Sequence, residues 1–268
     1  MRDMARLDWI AKLGFLARAV VYVMLGYIAL STRAKADEGQ SAVFDALGAM
    51  PGGTLILVLT AIGLLAYGVF RLTTAFLDLD HKGDDAKGLA QRMGQFFSGG
   101  AHILLGYTAY QYVSQVKQPS KDSGASQEAA QTILDLPLGS ALLALVGFYM
   151  LVTAGSQAWK AYKASFMNEI DPAAPAITCT LGRIGHAARA VVFAIVGWSM
   201  IQAALSGNEG EAKAIGGAIA SLRDNDTLYI LVAAGLLLFG LFTLILARYR
   251  IVPKVDIVAA AKRRVAPG

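Results

Sequence analysis

One stretch decides the fold: Arg183-Ile184-Gly185-His186-Ala187-Ala188-Arg189-Ala190-Val191-Val192-Phe193-Ala194-Ile195-Val196-Gly197-Trp198. Earlier versions of it span Lys12 to Tyr27 and Arg92 to Tyr107. In each version a cation, an aliphatic residue and a glycine are followed twelve positions later by a second glycine and an aromatic residue. The pattern predicts three tandem copies of one structural unit. The repeat glycines are Gly14, Gly26, Gly94, Gly106, Gly185 and Gly197.

The composition of the 268-residue chain places it in the membrane class. Apolar residues make up 56% of the chain and charged residues 16%, far from the proportions of soluble proteins. Six apolar stretches are long enough to cross a bilayer as helices, although the third, from Gln95 to Val116, is the most polar. We therefore expect an all-α, polytopic integral membrane protein with six transmembrane helices.

Each unit is predicted to contain two membrane-spanning helices. The expected boundaries are residues 12–80, 92–163 and 183–250, within a single membrane domain that ends in a basic cytoplasmic tail, residues 251–268. We expect the second helices to share a glycine as well, at Gly63, Gly147 and Gly235. Because two helices return the chain to the side on which it started, the units are parallel, and three of them suggest a pseudo-threefold arrangement.

The distribution of cations predicts the orientation. Sixteen of the 24 Lys and Arg residues lie on the face that holds both termini and six on the other, while Arg18 and Arg189 fall within the membrane. Cytoplasmic loops carry an excess of Lys and Arg, so both termini should be cytoplasmic. The first apolar stretch resembles a secretion signal, but Arg18 interrupts it and its repeat partner is internal, so we expect it to remain as a helix.

The three non-cytoplasmic loops each carry a short helical pattern followed by helix-breaking residues. The apolar positions include Phe44 in the first loop, Ile133 in the second and Ile219 in the third. Helices of two to three turns are marginal alone in water. We therefore expect them to lie on the membrane surface or to cap the bundle.

The repeated pattern resembles a bacterial membrane family known as domain of unknown function 1206. The similarity rests on Gly14, Arg18 and Gly26, matched by Gly185, Arg189 and Gly197, and covers the chain from Lys12 to Arg250. It implies a multi-pass protein of the bacterial cytoplasmic (inner) membrane with three tandem copies. It implies no activity. The middle copy departs from the pattern, with Ser98 at the arginine position.

Three arginines form the first candidate site. Arg18, Arg71 and Arg189 should lie at similar depth near the cytoplasmic boundary, and the spanning stretches contain no Asp or Glu to pair with them. One interpretation is that their long side chains reach out to the headgroup region. The other is that they bind anionic lipid headgroups or donate hydrogen bonds between helices.

Polar residues in the spans form a second candidate set. His102 should lie near mid-membrane, where a single histidine usually makes a hydrogen bond between helices rather than binding a metal. A polar path through the bundle would instead be lined by the same histidine and three other residues. The set is Gln95, Ser98, His102 and Gln202.

The sequence gives no sign of catalysis. No metalloprotease, phosphate-loop, nucleophile-elbow or paired-cysteine motif is present, and we expect no enzymatic activity, metal or cofactor. The net charge of +5 fits contact with anionic lipid, and we expect no nucleic-acid binding. The sequence favours a scaffold or a lipid- or partner-binding module, with a small-solute channel or facilitator as the alternative. Whether there is a protein partner or a homo-oligomer stays open.

Overall fold

The computed structural model describes residues 2–32, 38–80, 82–114, 127 and 130–251, and they are mainly helical. Within these ranges the one β contact is an isolated antiparallel bridge between Ile170 and Arg250, so the all-α class is confirmed there. Two predicted segments lie outside the described residues: the tail, apart from Ile251, and the start of the loop between the two helices of the second unit. The helices are α1 (Arg2–Ser31), α2 (Gly39–Gly48), α3 (Gly53–Leu77), α4 (Ala86–Val113), α5 (Gly139–Lys163), α6 (Ile177–Ser206), α7 (Ile215–Ala220) and α8 (Asp226–Tyr249).

Five of the described helices are long and apolar enough to cross a membrane. They are residues 11–31 of α1 and the whole of α3, α5, α6 and α8. Helix α4 has 28 residues, but its first half carries Lys87, Gln91, Arg92 and Gln95, and it is not among the five. The apolar helices support the prediction of a membrane protein.

The long helices pack in a definite order. Helix α3 packs closely against α4, α5 against α6, and α8 against α1, so each second helix of a unit contacts the first helix of the next and the last unit returns to the first. Within the units, α1 also packs on α3 and α6 on α8, whereas α4 and α5 are not among the closely packed pairs. The middle unit is therefore built differently from the other two.

Repeat glycines bring these helices together. A methyl group added at Gly26 would lie 2.6 Å from the backbone nitrogen of Leu237, and one at Gly197 would lie 2.8 Å from the carbonyl oxygen of Gly147. A methyl group added at Gly106 would lie equally close to Leu65. Since small residues allow helix backbones to approach, these glycines make the contacts between successive units.

The predicted equivalence of Gly147 with Gly63 and Gly235 is wrong. Helices α3 and α5 begin at Gly53 and Gly139 and end before Asp78 and Ala164, both of which have a φ of 51°. When the two helices are aligned by these ends, Gly147 corresponds to Ala61, and Gly63 corresponds to Tyr149. The error arose because Gly147 lies only two residues from the correct position in a run of similar aliphatic residues.

The short helices of the loops that were predicted to be external cap the bundle. Val43 and Phe44 of α2 are fully buried in the main apolar core, together with Ile219 of α7. In the second loop, Ala130 is buried in a smaller cluster with Leu143 of α5. Of the two predicted arrangements, the structure has the capping one, because these apolar faces are covered by the long helices.

Candidate functional site

Two arginines from different units share the same aromatic rings in the interior. The Cζ atom of Arg18 on α1 lies 5.6 Å from the ring centre of Tyr22 and 5.0 Å from that of Phe239. The Cζ atom of Arg189 on α6 lies 5.5 and 4.5 Å from the same two rings. The repeat thus places two like charges around one pair of rings, whose faces attract cations.

A third arginine extends this cluster. Arg71 on α3 lies one helical turn after Tyr67, whose hydroxyl accepts a hydrogen bond of 3.1 Å from Nη1 of Arg18. The Cζ atom of Arg18 also lies 5.8 Å from the ring centre of Tyr67. The structure therefore brings together the three arginines that the sequence singled out, and we call Arg18, Arg71 and Arg189 the arginine cluster.

The arginine cluster has unused hydrogen-bonding capacity. The Nε atoms of Arg18, Arg71 and Arg189 are each buried without a hydrogen-bond partner among the described residues. The apolar spans that surround them contain no Asp or Glu. An uncompensated guanidinium in hydrocarbon costs at least about 2.5 kcal/mol on insertion scales, so this arrangement suits an anionic partner.

The middle unit contributes a neutral side to the cluster. Ser98 stands at the position of Arg18 and Arg189, and its carbonyl oxygen accepts a hydrogen bond of 2.6 Å from Nδ1 of His102. The His102 ring lies 4.7 Å from the Tyr67 ring at a steep angle. His102 therefore makes a hydrogen bond within its own helix and an aromatic contact with α3.

The remaining residues of the predicted polar path lie apart. Gln95 is buried near the start of α4, where its Nε2 donates to Asp80 at 2.7 Å and its Oε1 has no partner among the described residues. Gln202 is exposed near the opposite end of α6. The structure places Ser98 and His102 beside the arginine cluster but does not bring Gln202 to them.

The sequence reasoning missed the rings that hold the arginines. Tyr67 and Phe239 each lie four residues after a shared glycine, Gly63 and Gly235, and this matched spacing could have identified them. It also missed the contact of His186, whose Nδ1 lies 2.5 Å from Oε1 of Gln157 on α5. No signal in the sequence pairs those two residues, which are 29 positions apart.

Comparison with known proteins places the chain in a family. The model of the Domain of Unknown Function family (DUF1206) matches residues 13–78, 93–164 and 184–250. The chain belongs to this family. It is also 29% identical over 250 residues to an uncharacterized protein, YxxB, of Bacillus subtilis strain 168, with 89% of this chain and 90% of that protein covered. No solved structure matches.

In this DUF1206 chain a charged pair closes the end of the bundle where α5 and α8 finish. Nη1 of Arg250 lies 2.5 Å from Oε2 of Glu169, and the backbones of the same segments are joined by bonds from Asp171 to Tyr249 and from Ile251 to Glu169. Burial raises the pKa of Glu169, but the charge and hydrogen bond of Arg250 outweigh it, so the pKa is lower than usual. A cavity of about 220 Å³ lies beside the pair.

The described part of the DUF1206 chain contains no group of three His, Cys, Asp or Glu residues arranged to hold a metal ion. Cys179 on α6 is a free, partly buried thiol.

Proposed function

We propose that this protein is a non-enzymatic protein of the bacterial cytoplasmic membrane that binds an anionic phospholipid through Arg18, Arg71 and Arg189. The buried Nε atoms that lack a partner carry the proposal. A guanidinium donates two parallel hydrogen bonds to a phosphate, and such charge-assisted bonds are about twice as strong as neutral ones. A headgroup phosphate would thus both neutralise the cluster and use its spare donors.

The proposal includes six membrane crossings, three parallel two-helix units in a pseudo-threefold arrangement and cytoplasmic termini. The packing of α4 along α3 supports a sixth crossing, because a span of low hydropathy is tolerated when a neighbouring helix covers its polar residues. The excess of Lys and Arg on the side of both termini supports the orientation. With this orientation the arginine cluster faces the leaflet that is richer in anionic lipid.

The packing above the cluster favours lipid binding over a solute channel. Fully buried apolar residues of α1, α3 and α8 fill the space between the cluster and the external caps, among them Val21, Leu64 and Leu236. A hydrated path would need polar groups there. The arginine cluster therefore lies at one end of a packed bundle.

Native mass spectrometry of the full-length protein, purified with added phosphatidylglycerol and phosphatidylcholine, tests the proposal. Replacing all three arginines by Gln removes the charge-assisted bonds and should weaken phosphatidylglycerol retention by about tenfold or more. Replacing them by Lys keeps the charge without the planar fork and should give a smaller loss. Arg71→Gln alone serves as a milder variant in case the triple variant does not fold.

The matched control carries Lys87→Gln, Arg183→Gln and Arg248→Gln, which remove three exposed cations while leaving the cluster intact. Its phosphatidylglycerol retention should equal that of the unaltered protein. Equal retention in the cluster variants would show instead that these arginines only reach towards the headgroup region.

A further inference from the structure

The middle unit lacks the small pair that joins the two helices of the other units. In the first unit a methyl group added at Gly63 would lie 2.6 Å from Cβ of Ala17, and in the third one at Gly235 would lie 2.5 Å from Cβ of Ala188. In the middle unit these positions hold Phe97 on α4 and Tyr149 on α5, whose ring centres are 4.7 Å apart. Two rings stand where the other units have an alanine against a glycine, so α4 and α5 are held apart.

The inner face of α4 is uncovered as a result. Val21 and Val192 are 2% and 1% exposed in the first and third units, but the equivalent Ala101 is exposed. A methyl group added at the neighbouring Gly100 would meet nothing within 4 Å, whereas the other units have a valine there. The space that these residues leave open is the α4–α5 seam, bordered by Phe97, Gly100, Ala101 and Tyr149.

The side of α5 that faces the seam is also less buried than the equivalent sides of α3 and α8. Met150 is only partly buried, while its equivalents Leu64 and Leu236 are fully buried. Most of α5 faces outward, and its buried share is the smallest of the five apolar helices. The α4–α5 seam is thus an opening between two helices of the bundle, with apolar and aromatic walls.

The α4–α5 seam leads to the arginine cluster. Ser98, which stands in place of an arginine, follows Phe97 directly. Its carbonyl oxygen accepts a hydrogen bond from His102, whose ring lies 4.7 Å from that of Tyr67, the hydrogen-bond partner of Arg18. On α5 the position of Arg71 is taken by the neutral Gln157. The charged interior therefore has one neutral side, and that side is where the helices separate.

We propose that the α4–α5 seam is the lateral entrance through which an anionic phospholipid reaches the arginine cluster, with an acyl chain remaining in the seam beside Gly100 and Ala101. This inference rests on the proposed function and adds the route and the seat of the chain. Lipid tails are as apolar as the protein surface, so an acyl chain gains little by transfer from the bilayer. The seam contributes space and access, and the arginines contribute the attraction.

Closing the seam tests the inference, because the other units supply the design. Phe97→Ala with Tyr149→Gly restores the small pair, and Gly100→Val with Ala101→Val fills the opening with the residues of the other units. Either change should reduce phosphatidylglycerol retention in native mass spectrometry by the same factor of about ten expected for the triple Gln variant. Phe148→Ala, which removes an exposed ring next to Tyr149, is the control and should change nothing.

A second measurement locates the acyl chain. Vesicles of phosphatidylcholine and phosphatidylglycerol, the latter carrying a diazirine on one chain, are irradiated with the reconstituted protein. Labelled peptides should come preferentially from α4 and α5 and should lose this preference in the closed variants. Excess inorganic phosphate is added in a parallel sample, where labelling should persist because the chain stays in the membrane.

Three outcomes would overturn the inference. If the closed variants keep phosphatidylglycerol while the arginine variants lose it, the route is wrong and the proposed function stands. If neither set loses lipid, both fail. If the unaltered protein runs as a dimer that the closed variants do not form, a second copy of the chain covers the seam instead.

Discussion

At the scale of single residues, the interior arginines are held by aromatic rings. Arg18 and Arg189 pack on Tyr22 and Phe239, and Arg18 donates a hydrogen bond to the hydroxyl of Tyr67 on α3. Rings hold the guanidinium groups in place without neutralising them. Among the described residues, the buried Nε atoms of these arginines have no hydrogen-bond partner.

The glycine contacts give a residue-scale prediction. Gly26→Ala should destabilise the protein by about 1–3 kcal/mol, because the added methyl group meets the backbone of Leu237 on α8, which cannot rotate away. Gly155→Ala is the matched control, since nothing lies within 4 Å of its added methyl group. Thermal unfolding in detergent, followed by tryptophan fluorescence, measures both. Equal unfolding midpoints for the two variants would contradict the assigned helix contact.

Single residues also show what the sequence could and could not predict. The repeat pattern identified Arg18, Arg189 and the small residues around them, since these occur at fixed spacing within one helix, whereas Arg71 was identified by its expected depth. The sharing of Tyr22 and Phe239 by two arginines depends on α8 returning to α1, and no local pattern encodes a contact between residues so far apart. Tyr149 was missed for another reason, because a nearby glycine imitated the motif.

At the scale of elements, the bridge between Ile170 and Arg250 joins the segment that follows the second unit to the end of the third unit. Its two backbone hydrogen bonds hold the segments together, and the Glu169–Arg250 ion pair lies directly on it. About half of the Glu169 side chain is exposed, at 47%, so the pair adds modestly to the backbone contact.

This ion pair predicts a dependence of stability on pH. The folded protein lowers the pKa of Glu169, so the stabilisation is complete above the ordinary glutamate pKa of about 4.3 and is lost as the pH falls through the lower, folded value. Glu169→Gln should therefore lower the free energy of unfolding at pH 7 by at most about 1 kcal/mol, which is measured as a slightly lower unfolding midpoint. The difference in unfolding midpoint between the variant and the unaltered protein should disappear in acid. A gap that stays constant down to pH 3 would refute this assignment.

Helix α4 shows that the composition of a segment alone does not determine whether it forms a long packed helix. Its composition alone makes it the weakest candidate span, and only its place in the repeat predicts a full-length helix there. The structure has that helix, of 28 residues, packed along α3. Its separation from α5 was not predictable, because it results from two bulky residues on different helices meeting each other.

At the scale of the whole molecule, the contact between α8 and α1 joins the last unit to the first. The two helices run antiparallel, since Tyr22 contacts Phe239 while Arg250 lies over Phe15, nearer the start of α1. The cores of α1, α3, α6 and α8 merge into one apolar cluster, with α2 and α7 above it. The middle unit contributes least to that cluster, which agrees with the open seam beside it.

The return of α8 to α1 makes the order of the units cyclic, so a circular permutant should assemble the same bundle. A gene that starts at Ala86, runs to the end of the chain and continues through a flexible linker into residues 1–80 keeps every unit whole. The start of α1 and the end of α8 lie at the same end of the bundle, so a short linker can join them. The permutant should insert into the membrane and retain phosphatidylglycerol like the original in native mass spectrometry. If the permutant fails to insert, synthesis must begin with the first unit, even though the units of the folded protein are arranged in a cyclic order.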